Sequence, residues 1–174
     1  MALALKLLYA KHSKQNKGDR GHLTVQKSTI FYRVDMTQTA IAAKRVFICG
    51  SALRGQPDNS NLGEAKFIRE AKTRPIYRLH SAENGWHPAI YEVAASGVSI
   101  PGEVYELTPE QFEQLAAGEP PYMYPSDVVL EDGEVLTAFL YPQELVEKYQ
   151  WEDISDLGGW AAYKASAVNA GQIN

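Results

Sequence analysis

A strand that leads into a capped helix is the most constraining feature of this chain, and it occupies Gly102–Glu119. The residues 102–107 (Gly-Glu-Val-Tyr-Glu-Leu) predict a β-strand. Thr108 and Gln111 then match the signature of a capping box, and Pro109 suits the first helical position. The stretch therefore predicts a strand and a helix joined by a single capping residue.

The end of this helix carries a carboxylate. Gly118 is predicted to stop the helix in a left-handed conformation, and Glu119 follows directly. Pro120 and Pro121 restrict the backbone beyond it, so we expect the Glu119 side chain to be held in place. A held carboxylate near apolar groups has its charged form disfavoured, which suits acid–base catalysis near neutral pH. The alternative is an ordinary solvated loop glutamate.

A short loop between two glycines is the second candidate for function. The run Arg45–Cys49 predicts a buried strand, and the residues after it, 50–55, read Gly-Ser-Ala-Leu-Arg-Gly. Glycines let successive backbone N–H groups converge on a small anion. Gln56 and Pro57 stand where a nucleotide-binding P-loop continues with Lys and Ser/Thr, so we do not expect nucleotide binding. The loop predicts a carboxylate site; the alternative is a tight strand-exit turn without a ligand.

Composition narrows the class of protein. A chain of 174 residues suits one domain, and a net charge of −4 argues against a broad nucleic-acid surface. Cys49 is the single cysteine, which excludes an internal disulfide and fits a reducing compartment. No apolar run approaches the roughly 20 residues of a membrane span, and Met1–Ala10 lacks the charge order of a signal peptide. We therefore expect a cytoplasmic protein that binds neither nucleic acid nor membrane.

The domain boundaries follow from a change in composition. We expect residues 1–40 to be a poorly structured N-terminal extension, because Lys11–Arg20 is basic and lacks apolar periodicity. Residues 41–166 are predicted to form the domain, and residues 167–174 a tail. One hypothesis is that Met36 is the natural start of the protein.

Several short strands with few helices between them argue against a doubly wound parallel sheet. We expect an α+β fold, with a small, mixed, mainly antiparallel β-barrel and flanking helices. The predicted strands are Arg45–Cys49, Pro75–His80, Ala89–Val93, Gly102–Leu107, Ser126–Leu130 and Val135–Tyr141, with Leu62–Thr73 as a short helix or strand, turns at 83–85 and 131–133, and helices at Pro142–Tyr149 and at the end of Trp151–Ser166.

Two motifs, Cys49–Asp58 and Gly102–Glu119, resemble the gamma-glutamylcyclotransferase-like (AIG2-like) superfamily. Its members carry Tyr-Gly-Ser/Thr-Leu-x-x-Gly after the first strand, then Gly-x-Val-Tyr, a helix and a catalytic glutamate. A closer resemblance is to the C-terminal domain of allophanate hydrolases, through Cys49–Gly55, Arg74–Leu79 and Asp156–Tyr163. The resemblance covers about Val46–Lys164 and is to that domain standing alone.

The resemblance implies a chemistry that needs no metal or cofactor. The amides of Gly50, Ser51, Ala52 and Leu53 would bind the carboxylate of a γ-glutamyl group. Glu119 would act as general acid and base while the α-amine closes a ring and releases 5-oxoproline from a γ-glutamyl amine or peptide. As implied by the same resemblance, Tyr141 would position Glu119 or the substrate; as a strand aromatic it could equally belong to the core.

This sequence departs from the superfamily pattern at two positions, since Cys49 and Ala52 replace the usual Tyr and Leu. Allophanate hydrolase domains commonly carry an apolar residue where Glu119 stands. Two alternatives therefore stay open: a domain that acts on or binds a small carboxylated urea or carbamate, and a non-catalytic module that binds small anions. The partner in each case is a small carboxylate, and a homodimer is one option for assembly.

Overall fold

The computed structural model describes residues 42–169. The predictions for residues 1–40, for Met36 and for most of the tail lie outside these residues. The strands are β1 (Lys44–Ile48), β2 (Lys66–Lys72), β3 (Tyr77–Ala82), β4 (His87–Glu92), β5 (Pro101–Leu107), β6 (Tyr124–Val129), β7 (Val135–Leu140) and β8 (Glu152–Asp153). The α-helices are α1 (Pro109–Gly118), α2 (Gln143–Tyr149) and α3 (Trp160–Asn169), and short 3-10 helices occupy Pro57–Leu62 and Ser155–Leu157.

The strands form two sheets. One has five strands in the order β2-β5-β1-β7-β6, and the other has three in the order β4-β3-β8. Every pairing is antiparallel except that of β1 with β7. The predicted α+β class with a mixed, mainly antiparallel sheet and flanking helices is confirmed.

The predicted β-barrel does not close. The edge strands β2 and β6 of the larger sheet approach each other only just beyond their ends, through a single bridge between Thr73 and Leu130. β3 and β4 pair with each other in the second sheet rather than closing the first. Alternating residues predict strands well, but the pairing of strand edges depends on contacts that are distant in sequence.

The parallel pair β1–β7 positions the candidate site. Val46 of β1 lies opposite Thr137 of β7. Parallel strands present their carboxyl ends at the same edge of a sheet, where ligands commonly bind in sheets that contain such pairs. Cys49 and Tyr141, the residues directly after the two strands, therefore emerge at one edge.

The central segments are close to those predicted. The segment predicted as a helix or a strand contains strand β2, preceded by the 3-10 helix Pro57–Leu62. Gly85 and Gly133 adopt positive φ angles in the predicted hairpin turns. Pro142 precedes α2 as its N-cap rather than occupying its first turn. Among residues 42–169, none of the helices is both long and apolar enough to cross a membrane.

Candidate active site

Glu119 lies directly after helix α1. Thr108 caps the helix: its side chain accepts from the Gln111 N–H at 3.2 Å, and the Gln111 side chain accepts from the Thr108 N–H at 2.8 Å. The predicted left-handed stop at Gly118 is wrong, because Gly118 is the last helical residue and its φ is not positive. The chain instead leaves the helix at Glu119, which is extended with φ −68° and ψ 148°. Pro120 explains this change, since a residue before proline is disfavoured in the helical region.

The environment of the Glu119 carboxyl favours its neutral form. The residue is half-buried, and among the described residues no group donates a hydrogen bond to its carboxylate. Burial, followed by the negative charge of Asp58, raises the pKa of Glu119 to about 7. Asp58 lies in the 3-10 helix that packs against α1. A carboxyl group with this pKa can both accept and donate a proton near neutral pH.

The loop after β1 turns tightly against β4. The Leu53 N–H donates to the Gly50 carbonyl at 3.0 Å, which closes a turn. A Cβ on Gly50 would lie 2.2 Å from Cγ of Pro88, so only glycine fits at this position without a shift. The Leu53 N–H is therefore already used in the turn and is not free to bind an anion. The backbone N–H groups that remain as candidate anion donors are those of Gly50, Ser51 and Ala52.

The loop carbonyls face the 3-10 helix. The Ser51 carbonyl accepts from the Asp58 N–H at 3.0 Å, and the Ala52 carbonyl accepts from the Asn59 side-chain amide at 2.9 Å. The peptide bonds are trans, so the C=O and N–H of one unit point in opposite directions. The Ala52 N–H consequently points away from Asp58. Within residues 42–169, the amides of Gly50, Ser51 and Ala52 have no hydrogen-bond acceptor.

A buried glutamate anchors the far end of this loop. Glu103 of β5 accepts from Nε of Arg54 at 2.7 Å, from the Arg54 N–H at 3.1 Å and from the Tyr105 hydroxyl at 2.8 Å. Burial by itself raises the pKa of Glu103, but these hydrogen bonds outweigh it and leave the pKa below its ordinary value. Glu103 is therefore a charged structural anchor, in contrast to Glu119.

Cys49 and Tyr141 lie within the electrostatic reach of Glu119. Burial and then the charge of Glu119 raise the pKa of the Cys49 thiol to about 12, so Cys49 is a neutral core residue. Burial, the charge of Glu83 and the charge of Glu119 raise the pKa of Tyr141 to about 12. The ends of β1 and β7 and the end of α1 therefore share one region.

The family of the chain follows from comparison with known proteins. The family model of the allophanate hydrolase C-terminal domain matches residues 44–165. The chain belongs to this family. The predicted membership of the gamma-glutamylcyclotransferase-like superfamily, with affinity to this C-terminal domain, is confirmed.

Relatives of this allophanate hydrolase C-terminal domain chain include one curated protein, gamma-glutamylaminecyclotransferase C of Danio rerio, which is 35% identical over 80 residues. That alignment covers 43% of this chain and 53% of the Danio protein, so the chain spans about half the length of the curated relative that it matches.

The solved structures that share the fold include the following two. A uropathogenic E. coli-specific protein is 28% identical with a TM-score of 0.66, over 72% of this chain and 98% of the other. The Kluyveromyces lactis allophanate hydrolase is 23% identical with a TM-score of 0.67, over 75% of this chain and 22% of the other. At 23% identity the latter supports the fold alone.

One residue pair near the site escaped prediction from sequence. His87 Nε2 lies 2.8 Å from the Tyr141 hydroxyl, and the two rings stack with centroids 5.8 Å apart and an angle of 4° between their planes. Both side chains are buried. No pattern in the sequence gives His87 a site role, because no local pattern links residues 54 positions apart.

A large groove lies away from Glu119. It has a volume of about 660 Å³ and is lined by Arg54, Glu103 and Trp160 among other residues, but not by Glu119. Its arginines, Arg54 and Arg69, are paired with carboxylates. We place the candidate active site at Glu119 because the carboxyl with the raised pKa and the unbonded loop amides lie on adjoining elements there.

Proposed function

We propose that this chain is a γ-glutamyl cyclotransferase-type enzyme that releases 5-oxoproline from a γ-glutamyl amine or peptide. The observation that carries the proposal is Glu119, a half-buried carboxyl whose pKa is raised to about 7 at the end of α1. Similarity to a Danio protein named gamma-glutamylaminecyclotransferase C supports the same class of reaction. Membership of the allophanate hydrolase C-terminal domain family is compatible with it.

The first step is binding of the substrate's α-carboxylate. The unbonded amides of Gly50, Ser51 and Ala52 are the donors in this step. Backbone amides in a tight turn suit a small anion because they are positioned before the ligand arrives. Leu53 contributes by closing the turn.

The second step is proton transfer by Glu119. As a carboxylate it takes a proton from the α-ammonium group, and the freed amine attacks the γ-carbonyl carbon. The bond between this carbon and the leaving nitrogen then breaks as Glu119 returns its proton to that nitrogen. The ring nitrogen loses its second proton, which the released amine takes up to leave as an ammonium ion. The products are a five-membered lactam, 5-oxoproline, and the released amine.

The rate enhancement of this reaction does not require many catalytic groups. The attack is intramolecular, so correct orientation of the substrate supplies most of the rate gain. One well-placed acid–base group then contributes roughly 10²–10⁴-fold. In this proposal Glu119 is the acid–base group. Tyr141 lies near enough for the charge of Glu119 to contribute to its raised pKa.

The experiment measures 5-oxoproline released from a panel of γ-glutamylamines, γ-glutamyl dipeptides and glutathione. The unaltered protein is expected to turn over at least one member, and Glu119→Gln is expected to lose about 10²–10⁴-fold in kcat. The matched control is Glu113→Gln, an exposed glutamate of the same helix, which is expected to keep full activity. Full activity in Glu119→Gln, or no turnover of any member by the unaltered protein, would overturn the proposal.

A further inference from the structure

The contact between His87 and Tyr141 is one of the few buried polar contacts of the described residues that joins two side chains. His87 is 4% exposed and Tyr141 is 1% exposed, and their side chains form a hydrogen bond of 2.8 Å. Trp151 packs edge-on against Tyr141 from another direction, at 5.2 Å between ring centroids. The tyrosine ring is therefore held by two aromatic neighbours and its hydroxyl by one nitrogen.

The second nitrogen of the histidine decides which way the proton points. His87 Nδ1 is buried and has no hydrogen-bond partner among the described residues. Burial lowers the pKa of His87, against the opposing charges of Glu83 and Asp58, so the ring is neutral and carries one N–H. With the proton on Nδ1, the N–H would be fixed in the ring plane as a buried donor without an acceptor, which native proteins rarely keep. With the proton on Nε2, the donor without an acceptor among the described residues is the Tyr141 O–H, which can rotate about its C–O bond toward a bound ligand. The single proton is thus placed on Nε2, facing Tyr141.

This arrangement leaves the tyrosine proton free. When Nε2–H donates to the Tyr141 oxygen, the hydroxyl hydrogen points elsewhere and can serve a second acceptor. Were the proton on Nδ1, the hydroxyl would instead donate to Nε2 and have no hydrogen left for another group. The tautomer of His87 therefore decides whether the Tyr141 hydroxyl can donate a hydrogen bond to another group.

The pair adjoins the candidate active site from two sides. Pro88, next to His87, is the residue against which Gly50 packs. Tyr141 follows β7 at the same sheet edge as Cys49 and is close enough for the charge of Glu119 to act on it. A substrate held by the loop amides and Glu119 would bind at the sheet edge where Tyr141 emerges.

We infer that His87 is a positioning residue that donates from Nε2 to the Tyr141 oxygen and so frees the tyrosine O–H to donate to the bound γ-glutamyl group. The inference rests on the proposed function for its catalytic consequence. Its structural part, the tautomer, does not depend on any activity.

The kinetic test is a double-mutant cycle of His87→Phe and Tyr141→Phe, scored as kcat for 5-oxoproline release. His87→Phe retains the stacked ring but has no donor, and it is expected to lower kcat about tenfold, the loss of roughly one hydrogen bond. In the Tyr141→Phe background it is expected to have almost no further effect, because the two residues act as one unit. His87→Gln, whose side-chain amide can donate in place of Nε2–H, is expected to recover most of kcat. Unchanged kcat in His87→Phe, or equal losses in both backgrounds, would overturn the inference.

The second test needs neither a variant nor turnover. In the unaltered protein labelled with ¹⁵N-histidine, NMR reports which ring nitrogen carries the proton. A proton on Nε2 of His87 is the expected result, and a proton on Nδ1 would sink the inference. If no substrate is turned over, the proposed function fails while the tautomer result still decides the structural part, so the two failures are distinguishable.

Discussion

Gly50 and Pro88 are in direct contact, because a Cβ on residue 50 would lie 2.2 Å from the Cγ of the proline ring and 2.8 Å from its Cδ. The contact joins the loop that follows β1, a strand of the larger sheet, to the start of β4 in the second sheet. The position of the loop amides is thus set by a rigid ring rather than by a flexible side chain.

Gly50→Ala is expected to displace the loop. Relieving an overlap of this size requires a shift of either the loop or β4, and such overpacking costs about 1–3 kcal/mol of unfolding free energy. Under the proposed function the displaced amides also bind the α-carboxylate less well, so KM rises. Urea denaturation and steady-state kinetics measure the two effects, and a variant with unchanged stability and KM would contradict the tight packing.

Gly118→Ala is expected to increase the unfolding free energy, in contrast to Gly50→Ala. Gly118 ends helix α1 with helical geometry, and nothing lies within 4 Å of a Cβ built on it. Alanine should therefore stabilise the helix by about 0.5–1 kcal/mol relative to glycine. Thermal denaturation distinguishes this from a left-handed helix stop, for which alanine would lower the melting temperature.

Glu103→Gln is expected to destabilise the protein at pH 7 by about 1–3 kcal/mol, because charge-assisted hydrogen bonds from Arg54 are weakened in a buried site. The folded-state pKa of Glu103 is lowered, so its stabilisation is present above its unfolded pKa and is lost as the pH falls through the folded value. The deficit of the variant should accordingly shrink in acid.

The control for this variant is Glu106→Gln on the same strand. Glu106 makes a 3.4 Å ion pair with Lys66, whose side chain is 70% exposed, so little stability is expected to be lost. Denaturation curves at pH 7 and at pH 4 compare the two variants. Equal losses at pH 7 would show that Glu103 does not anchor the loop.

Glu119→Gln is expected to stabilise the protein at high pH while removing activity. The pKa of Glu119 is raised to about 7 in the folded state, so the stability associated with this group is fully present below its unfolded pKa, near 4.5, and is lost as the pH rises through 7. Gln carries no charge at any pH. We expect the variant to match the unaltered protein near pH 4.5 and to exceed it by about 1–3 kcal/mol at pH 8, allowing for partial exposure of the carboxyl.

The measurement is the difference in unfolding free energy between the two proteins across this pH range. A difference that is constant with pH would contradict the raised pKa. The same range gives the kinetic counterpart, since the rate with the unaltered protein should change around pH 7, where Glu119 titrates.

The capping box of α1 was predicted correctly because its partners, Thr108 and Gln111, are three residues apart and bond to each other's backbone. The end of the helix was predicted at the right residue but for the wrong reason. Gly118 has the composition of a left-handed stop, yet Pro120 already forces Glu119 out of the helical region, so no left-handed residue is needed. The glycine at position 118 and the proline at position 120 both predict the end of the helix, and the structure shows that the steric restriction from Pro120 determines its geometry.

By itself, the sequence determined most of the strands, the capped helix and the place of Glu119 after it, because these depend on patterns within short stretches of the chain. It also indicated the family, through motifs spread between Val46 and Lys164. Only the tertiary structure decided that β1 and β7 run parallel, that the sheets stay open, that the Leu53 amide is occupied and that His87 bonds Tyr141. The last two residues are 54 positions apart and carry no mutual signal in the chain. The raised pKa of Glu119 was likewise decided by the tertiary structure, because burial is a property of the packed molecule rather than of residues that are neighbours in sequence.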